Sequence, residues 1–192
     1  MTATRTRHLD LNCGLRPRNP YGRDQVYGID IRRPPNLGEE FFRAANLSVQ
    51  GIPFEDNFFD SVSAYDFLEH VPRVLLSGEG TGTVFPFVRL MDEIWRVLKP
   101  DGKLYAVTPY YPRSEIFTDP THVNPVTLHT HTYFVEPHLD ASAYGFKGRF
   151  AGLRVKYEYE PHSLTASQAL RKALDFIKRR NSHIPWELAA RK

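Results

Sequence analysis

Two short apolar runs of strand character open the chain, separated by a polar stretch that carries prolines. His8-Leu9-Asp10-Leu11 leads into Asn12-Cys13-Gly14, and Val26-Tyr27-Gly28-Ile29 leads into Asp30. Runs of this length and make-up, bounded by turn formers, read as strands. Asp60-Ser61-Val62-Ser63-Ala64 reads the same way, and Lys103-Leu104-Tyr105-Ala106-Val107-Thr108 forms another after the Pro100-Asp101-Gly102 turn. Between these two, Val84, Val88, Met91, Trp95 and Leu98 recur at helical intervals, which predicts a helix burying that face against a sheet. Strands alternating with helical segments argue for an α/β fold with a mainly parallel sheet. Pro17, Pro20 and Gly22 leave little room for a regular helix between the first two strands, so any helix there is short or distorted. Ser77 to Thr83 reads as a loop near the mouth of a cleft. Leu153 to Tyr159 alternates like an exposed strand and, with the segment up to Gly148, predicts an antiparallel hairpin at one edge.

The spacing of two acids gives the first chemical content. Asp30 ends the second run 20 residues after Asp10. A carboxylate at the carboxyl end of a second parallel strand can accept hydrogen bonds from both ribose hydroxyls, and a glycine after the first strand lets backbone approach a ligand closely. A nucleoside crevice is the expectation. Of the glycines that would cradle a pyrophosphate only Gly14 is present, with Asn12 and Arg16 at the other beats of the turn, so a dinucleotide is disfavoured.

Bulk composition narrows the class. A chain of 192 residues supports one core, so a single domain is expected, with the sheet and its helices over about residues 7–160 and a basic helix and tail over 163–192. The leading residues lack the apolar stretch of a secretory signal, and no run is long enough to cross a bilayer, from which a cytoplasmic location is expected. Cys13 is the only cysteine, which excludes an internal disulfide. The net charge of +3 comes from arginines spread along the chain, and no nucleic-acid partner is expected. The densest basic cluster, Arg171, Lys172, Lys178, Arg179 and Arg180, shares a helical segment with Leu170, Ala173, Leu174 and Ile177. It reads first as a solvated surface helix and second as a contact to a membrane surface or anionic partner.

Three further blocks join the two opening strands in a recognisable order. These are Ile52-Pro53-Phe54-Glu55-Asp56-Asn57-Phe58-Phe59-Asp60-Ser61-Val62, then Phe67-Leu68-Glu69-His70-Val71, then Glu93 through Leu104 with Leu98-Lys99-Pro100-Asp101-Gly102 at its centre. From about Arg7 to about Thr132 the chain resembles the small-molecule branch of the class I S-adenosylmethionine-dependent methyltransferases. The resemblance implies a single-domain, Rossmann-like, mainly parallel sheet with flanking helices, and S-adenosylmethionine held over the carboxyl ends of its strands. It implies that Asp30 holds the ribose, with Ile31 beside it, and that Asp10, Asn12 and Gly14 face the methionine end. It also implies that Asn46 stands near the adenine and that Ala64 and Tyr65 line the same crevice. Asn46 reads equally well as a turn residue, and Tyr65 as core.

Methyl transfer is an in-line displacement at a carbon activated by positive sulfur, so alignment of the nucleophile supplies much of the acceleration, and a base is needed only for a hydroxyl or a protonated amine. Asp119-Pro120-Thr121-His122 lies in the loop after the strand ending at Thr108, on the rim where such sheets bind ligands. Histidine is the side chain suited to proton transfer near neutrality, which makes His122 the candidate base, with Asp119 as the group that orients it, although a loop histidine holding its own turn fits equally well. Asp66, Glu69 and His70 are alternative acid–base groups. His129 and His131, alternating on an extended segment, could join His122 or Asp119 in an oxygen–nitrogen metal site, but acidic ligands are sparse there and no metal is expected. Tyr110 and Tyr111 are expected to shape the acceptor pocket. The reading is methylation of a small molecule or glycan acceptor, at oxygen, with a cofactor-binding or regulatory module that has lost turnover as the alternative.

Overall fold

The predicted runs form the strands of one seven-stranded sheet. A computed structural model describes residues 5–155 and 182–192. In chain order the strands and α-helices are β1 (Arg7–Leu11), β2 (Gln25–Asp30), β3 (Phe42–Ala44), β4 (Phe59–Tyr65), β5 (Leu75–Leu76), β6 (Thr83–Val84), α1 (Pro86–Val97), β7 (Leu98–Pro109), α2 (Glu115–Thr118), β8 (Phe150–Val155) and β9 (His183–Ala190). The order across the sheet is β3-β2-β1-β4-β7-β9-β8. The first five of these run parallel, and β9 lies antiparallel between β7 and β8. The chain is thus a single α/β domain with a mainly parallel sheet and an antiparallel edge. β5 and β6 form a separate hairpin around the glycine-rich loop.

Three details differ from the sequence expectation. The C-terminal residues 183–190, expected in a tail, form β9, where Ile184, Trp186, Leu188 and Ala190 are fully buried. Their period of two is a strand signal that Pro185 masks, since proline argues against an interior strand. The basic segment 163–181 lies outside the described residues. The helix starts at Pro86, in the first-turn position proline favours, so its buried face is Phe87, Leu90, Met91, Ile94 and Val97. Val84 falls before it in β6, and Val88 and Trp95 are only half-buried. Finally, Pro100-Asp101-Gly102 is an irregularity inside a long strand: β7 pairs with Phe59 at Leu98 and resumes at Lys103 opposite Ser61.

The central strands are buried on both faces, and the faces differ in chemistry. Leu9, Leu11, Val62, Ala64, Leu104 and Ala106 fall in register on one face and share a core with the buried residues of α1. Arg96, near the end of α1, donates to the carbonyls of Ile52 and Phe54 and to Glu93 and Asp56, which fixes the segment leading into β4. His8, Asp10, Ser61 and Ser63 occupy the opposite face, all fully buried. His8 bridges Ser61 and Ser63 at 2.8 Å each, and Ser63 donates to Asp10 at 2.5 Å. Over them lies the proline-bearing segment, which forms no helix. The Arg18 amide donates to Asp10, Arg23 donates to Ser61, and Tyr21 donates to Glu187. A polar layer under a polar loop thus stands where a helix would have needed an apolar face.

This layer carries opposed pH dependences. Burial pushes the Asp10 carboxyl up to about 6 and the His8 imidazole down to about 4. As pH falls below 6.5, the unfolded chain protonates His8 before the folded one does, so His8 withdraws stability down to about pH 4. Asp10 acts in the other direction, because between about pH 6 and 3.8 the folded state holds the extra proton. Asp10→Asn should therefore leave the His8 loss unopposed by about 3 kcal/mol, the worth of about two pKa units. Thermal unfolding at pH 6.5, 5.5 and 4.5 should show a steeper loss in the variant, and parallel curves would contradict the assignment.

Candidate active site

Parallel strands bring their carboxyl ends to one edge of the sheet, and two adjoining sites form there. The first spans β2 and β1. Asp30, at the end of β2, accepts from the Gly14 amide at 2.9 Å through Oδ2 and from the Ile31 amide at 2.7 Å through Oδ1. Oδ1 also accepts a long bond from the Arg32 amide at 3.4 Å, so of the about four acceptor positions of an ionised carboxylate the one left for a ribose hydroxyl is on Oδ2. Asn12 and Gly14 adopt left-handed backbone angles, with φ of 52° and 57°, which asparagine and glycine tolerate best. Ile31 is exposed beside Asp30 and offers an apolar surface to a flat ring. Asn46 follows β3 on the same edge, next to Ala45, whose amide donates to Asp30 O. Its side-chain oxygen accepts from the Ser48 amide in an Asx turn.

The remaining residues expected at the cofactor, Asp10, Ala64 and Tyr65, sit in the packing of β1 and β4. Asp10 is fully buried, its Oδ1 accepting from the Ser63 hydroxyl and its Oδ2 from the Arg18 amide. Ala64 is fully buried within β4, and Tyr65 is half-buried, its ring under the Arg18 guanidinium at 4.3 Å and near Tyr105 at 5.6 Å. Arg18 is a site-edge residue that sequence reasoning missed, and its only signal was its place in the helix-breaking segment.

The second site is a cavity of about 610 Å³ across the ends of β4 and β7, lined by Asp66, Glu69, His70, Asp119, His122 and His183, among others. Leu68–His70 is a single 3-10 turn rather than the start of a longer helix. Glu69 is fully buried there, and burial pushes its carboxyl up to about 7. Its Oε2 accepts from the Thr108 hydroxyl at 2.9 Å, while Oε1 has no hydrogen-bond partner among the described residues and faces His122 Nε2 at 3.9 Å. His122 donates from Nδ1 to the Ile116 carbonyl at 3.1 Å, which leaves Nε2 as the open acceptor. His183, at the start of β9, pairs with Asp66 across the cavity at 3.1 Å.

Several expectations change here. Asp119 does not orient His122: its Oδ1 accepts from the amide and hydroxyl of Thr121, an Asx turn that bends the carboxylate back on its own loop. Because the Thr121 proton goes to Asp119, His70 donates from Nδ1 to Thr121 Oγ1 at 2.9 Å, so Asp119 stands behind His70 instead. The partner of His122 is Glu69. His129 and His131 do not lie on an extended segment: residues Thr130–Phe134 form a 3-10 helix, His129 precedes it, and His131 Nδ1 donates to the Leu128 carbonyl. The group that gathers ligand atoms among the described residues is Glu69, His70 and His122. Tyr110 is buried and bridges to Val126, and Tyr111 is exposed against Phe117, so neither lines the cavity.

Known proteins agree with this architecture. The family described as "Methyltransferase domain" matches residues 10–106. The chain belongs to this methyltransferase family, and its cofactor is S-adenosylmethionine. No curated protein sequence matches it. Among solved structures it is similar to a methyltransferase of Haloferax volcanii determined in complex with the Trm112 methyltransferase activator, with a TM-score of 0.60 at 14% identity over 97% of this chain and 83% of that one. An S-adenosylmethionine-dependent methyltransferase of Mesorhizobium loti gives 0.56 at 16% identity over 95% and 90%. A methyltransferase of Bacillus halodurans gives 0.54 at 14% over 98% and 94%. At these identities the likeness is one of fold. Among the described residues no helix is long and apolar enough to cross a membrane.

Proposed function

We propose that the protein methylates a hydroxyl oxygen of a small molecule or sugar, with the cofactor along the β2–β1 end of the strand edge and the acceptor in the cavity at β4–β7. The observation that carries this reading is the convergence of Glu69 Oε1 and His122 Nε2, 3.9 Å apart, in a cavity on the same edge as Asp30. Neighbouring strands lie about 4.8 Å apart, so a cofactor whose ribose sits on Asp30 can run across β1 and present its sulfonium toward the mouth of that cavity. The acceptor hydroxyl is deprotonated at the Glu69–His70–His122 cluster. Its oxygen then attacks the methyl carbon in line, a C–O bond forms as the C–S bond breaks, and the products are the methyl ether, S-adenosylhomocysteine and one proton. Asp30 holds the ribose diol, Ile31 and Asn46 border the adenine, and Asn12 and Gly14 face the methionine end.

Asp30→Ala should weaken S-adenosylmethionine and S-adenosylhomocysteine alike by about 1.5–3 kcal/mol, the worth of hydrogen bonds to a charged acceptor. Titration calorimetry reads this directly, and unchanged affinity for both would remove Asp30 from the site. His122→Ala should lower the maximal rate about 10²–10⁴-fold while leaving cofactor affinity unchanged, as for a group that acts on the acceptor proton. The assay is a panel of hydroxyl acceptors with the released S-adenosylhomocysteine measured. A variant that keeps the wild-type rate from pH 6 to 9 and only melts earlier would make His122 a residue that merely holds its loop.

A further inference from the structure

We propose that Glu69, His70 and His122 bind a divalent first-row transition cation, to which the acceptor hydroxyl coordinates. This rests on the reading of the cavity as the acceptor site and supplies the means by which the hydroxyl is deprotonated there. One ligand atom from each of the three residues lies within 4.8 Å of the other two. Both imidazoles have their Nδ1 proton committed, His122 to the Ile116 carbonyl and His70 to Thr121, whose own proton is fixed by Asp119. Each therefore presents an Nε2 lone pair in a fixed direction, the arrangement that orients metal-binding histidines through the hydrogen bond on the other nitrogen. The third donor is the fully buried Glu69 Oε1, which has no hydrogen-bond partner among the described residues while Thr108 holds its other oxygen. A buried carboxylate oxygen without a hydrogen bond, with imidazole ligand atoms within 4.8 Å, is a costly arrangement without a cation and a favourable one with it.

The ligand set also indicates the ion. Two nitrogens and one carboxylate oxygen suit zinc or manganese, whereas magnesium prefers oxygen ligands and retains its waters. The His70 and His122 rings meet edge to face, with centroids 4.7 Å apart and planes at 74°, and all three residues line the cavity. The cavity of about 610 Å³ on the other side leaves room for water or an acceptor oxygen. A bond length near 2.1 Å and tetrahedral angles require the donors to close to about 3.4 Å. A hydroxyl bound to such an ion loses its proton to solvent near neutral pH, and its oxygen remains poised for the methyl carbon. No electron changes hands.

Protein stripped by chelator and dialysed should be titrated with Zn²⁺, Mn²⁺ and Mg²⁺, with stoichiometry read by elemental analysis and affinity by calorimetry. One equivalent of Zn²⁺ or Mn²⁺ is expected, with Mg²⁺ weaker. Glu69→Gln and His122→Ala should each weaken binding at least tenfold, and Asp30→Ala should leave it unchanged. Because Glu69 is buried, its variant is compared by thermal melting, and the half-buried His122 carries the test if Glu69→Gln does not fold. Failure of the wild type to bind Zn²⁺ or Mn²⁺ at one equivalent, or equal affinity in His122→Ala, overturns the metal site. Methylation of hydroxyl acceptors by the chelated protein would likewise remove the cation while leaving the acceptor-site reading intact. Conversely, stoichiometric metal binding with methyl transfer only to acceptors other than hydroxyls would keep the metal site and overturn the O-methylation reading.

Discussion

The cavity at the ends of β4 and β7 depends on how the short Leu68–His70 turn is tied to the rest of the sheet. The Glu69 carbonyl accepts from the amides of both Val123 and Asn124, and the Leu68 carbonyl accepts from the Asn124 side chain. Arg73 in turn donates to the Asn124 side-chain oxygen and to the Pro125 carbonyl. The Glu69 carboxylate meanwhile takes the Thr108 hydroxyl at the end of β7. One turn, helped by Arg73, thus ties the 119–126 loop to the end of β7, and the loop is held so that His122 faces Glu69. Without this clamp, a loop histidine would have no fixed distance to a buried carboxylate. With it, Glu69 and His122 keep a fixed separation, the condition that the proposed catalysis by alignment requires.

The two faces of the sheet divide the work. One is an ordinary apolar interface with α1. The other is a fully buried polar chain, His8 through Ser63 to Asp10, closed by a loop rather than a helix. Buried polar groups are tolerated when every member is paired, and here the pairing also positions Arg18 over Tyr65 at the border between the two sites. The polar layer therefore both replaces a missing structural element and shapes the ground next to the proposed cofactor crevice.

Much of this was legible in the sequence because the signals were local. The strand runs, the carboxylate at Asp30, the disfavoured first helix and the order of the motif blocks each depend on neighbouring residues, and the fold respects them. Legibility failed where position depends on partners distant in sequence. Asp119 lies three residues before His122, but an Asx turn to Thr121 uses its carboxylate, and the true neighbour of His122 comes from a turn more than fifty residues earlier. His129 and His131 looked like a same-face pair only on the assumption of an extended backbone. β9 carried a clear alternation that a single proline obscured.

The account stands on one spatial claim, that the methyl group reaches the Glu69–His122 cavity when the ribose sits on Asp30. A crystal structure of the protein with S-adenosylhomocysteine measures this directly. The account predicts the ribose diol on the Asp30 carboxylate, the adenine against Ile31, and the sulfur turned toward the cavity at the ends of β4 and β7. A ribose away from Asp30, or a sulfur turned toward the β3 edge with the cavity out of reach, would contradict it.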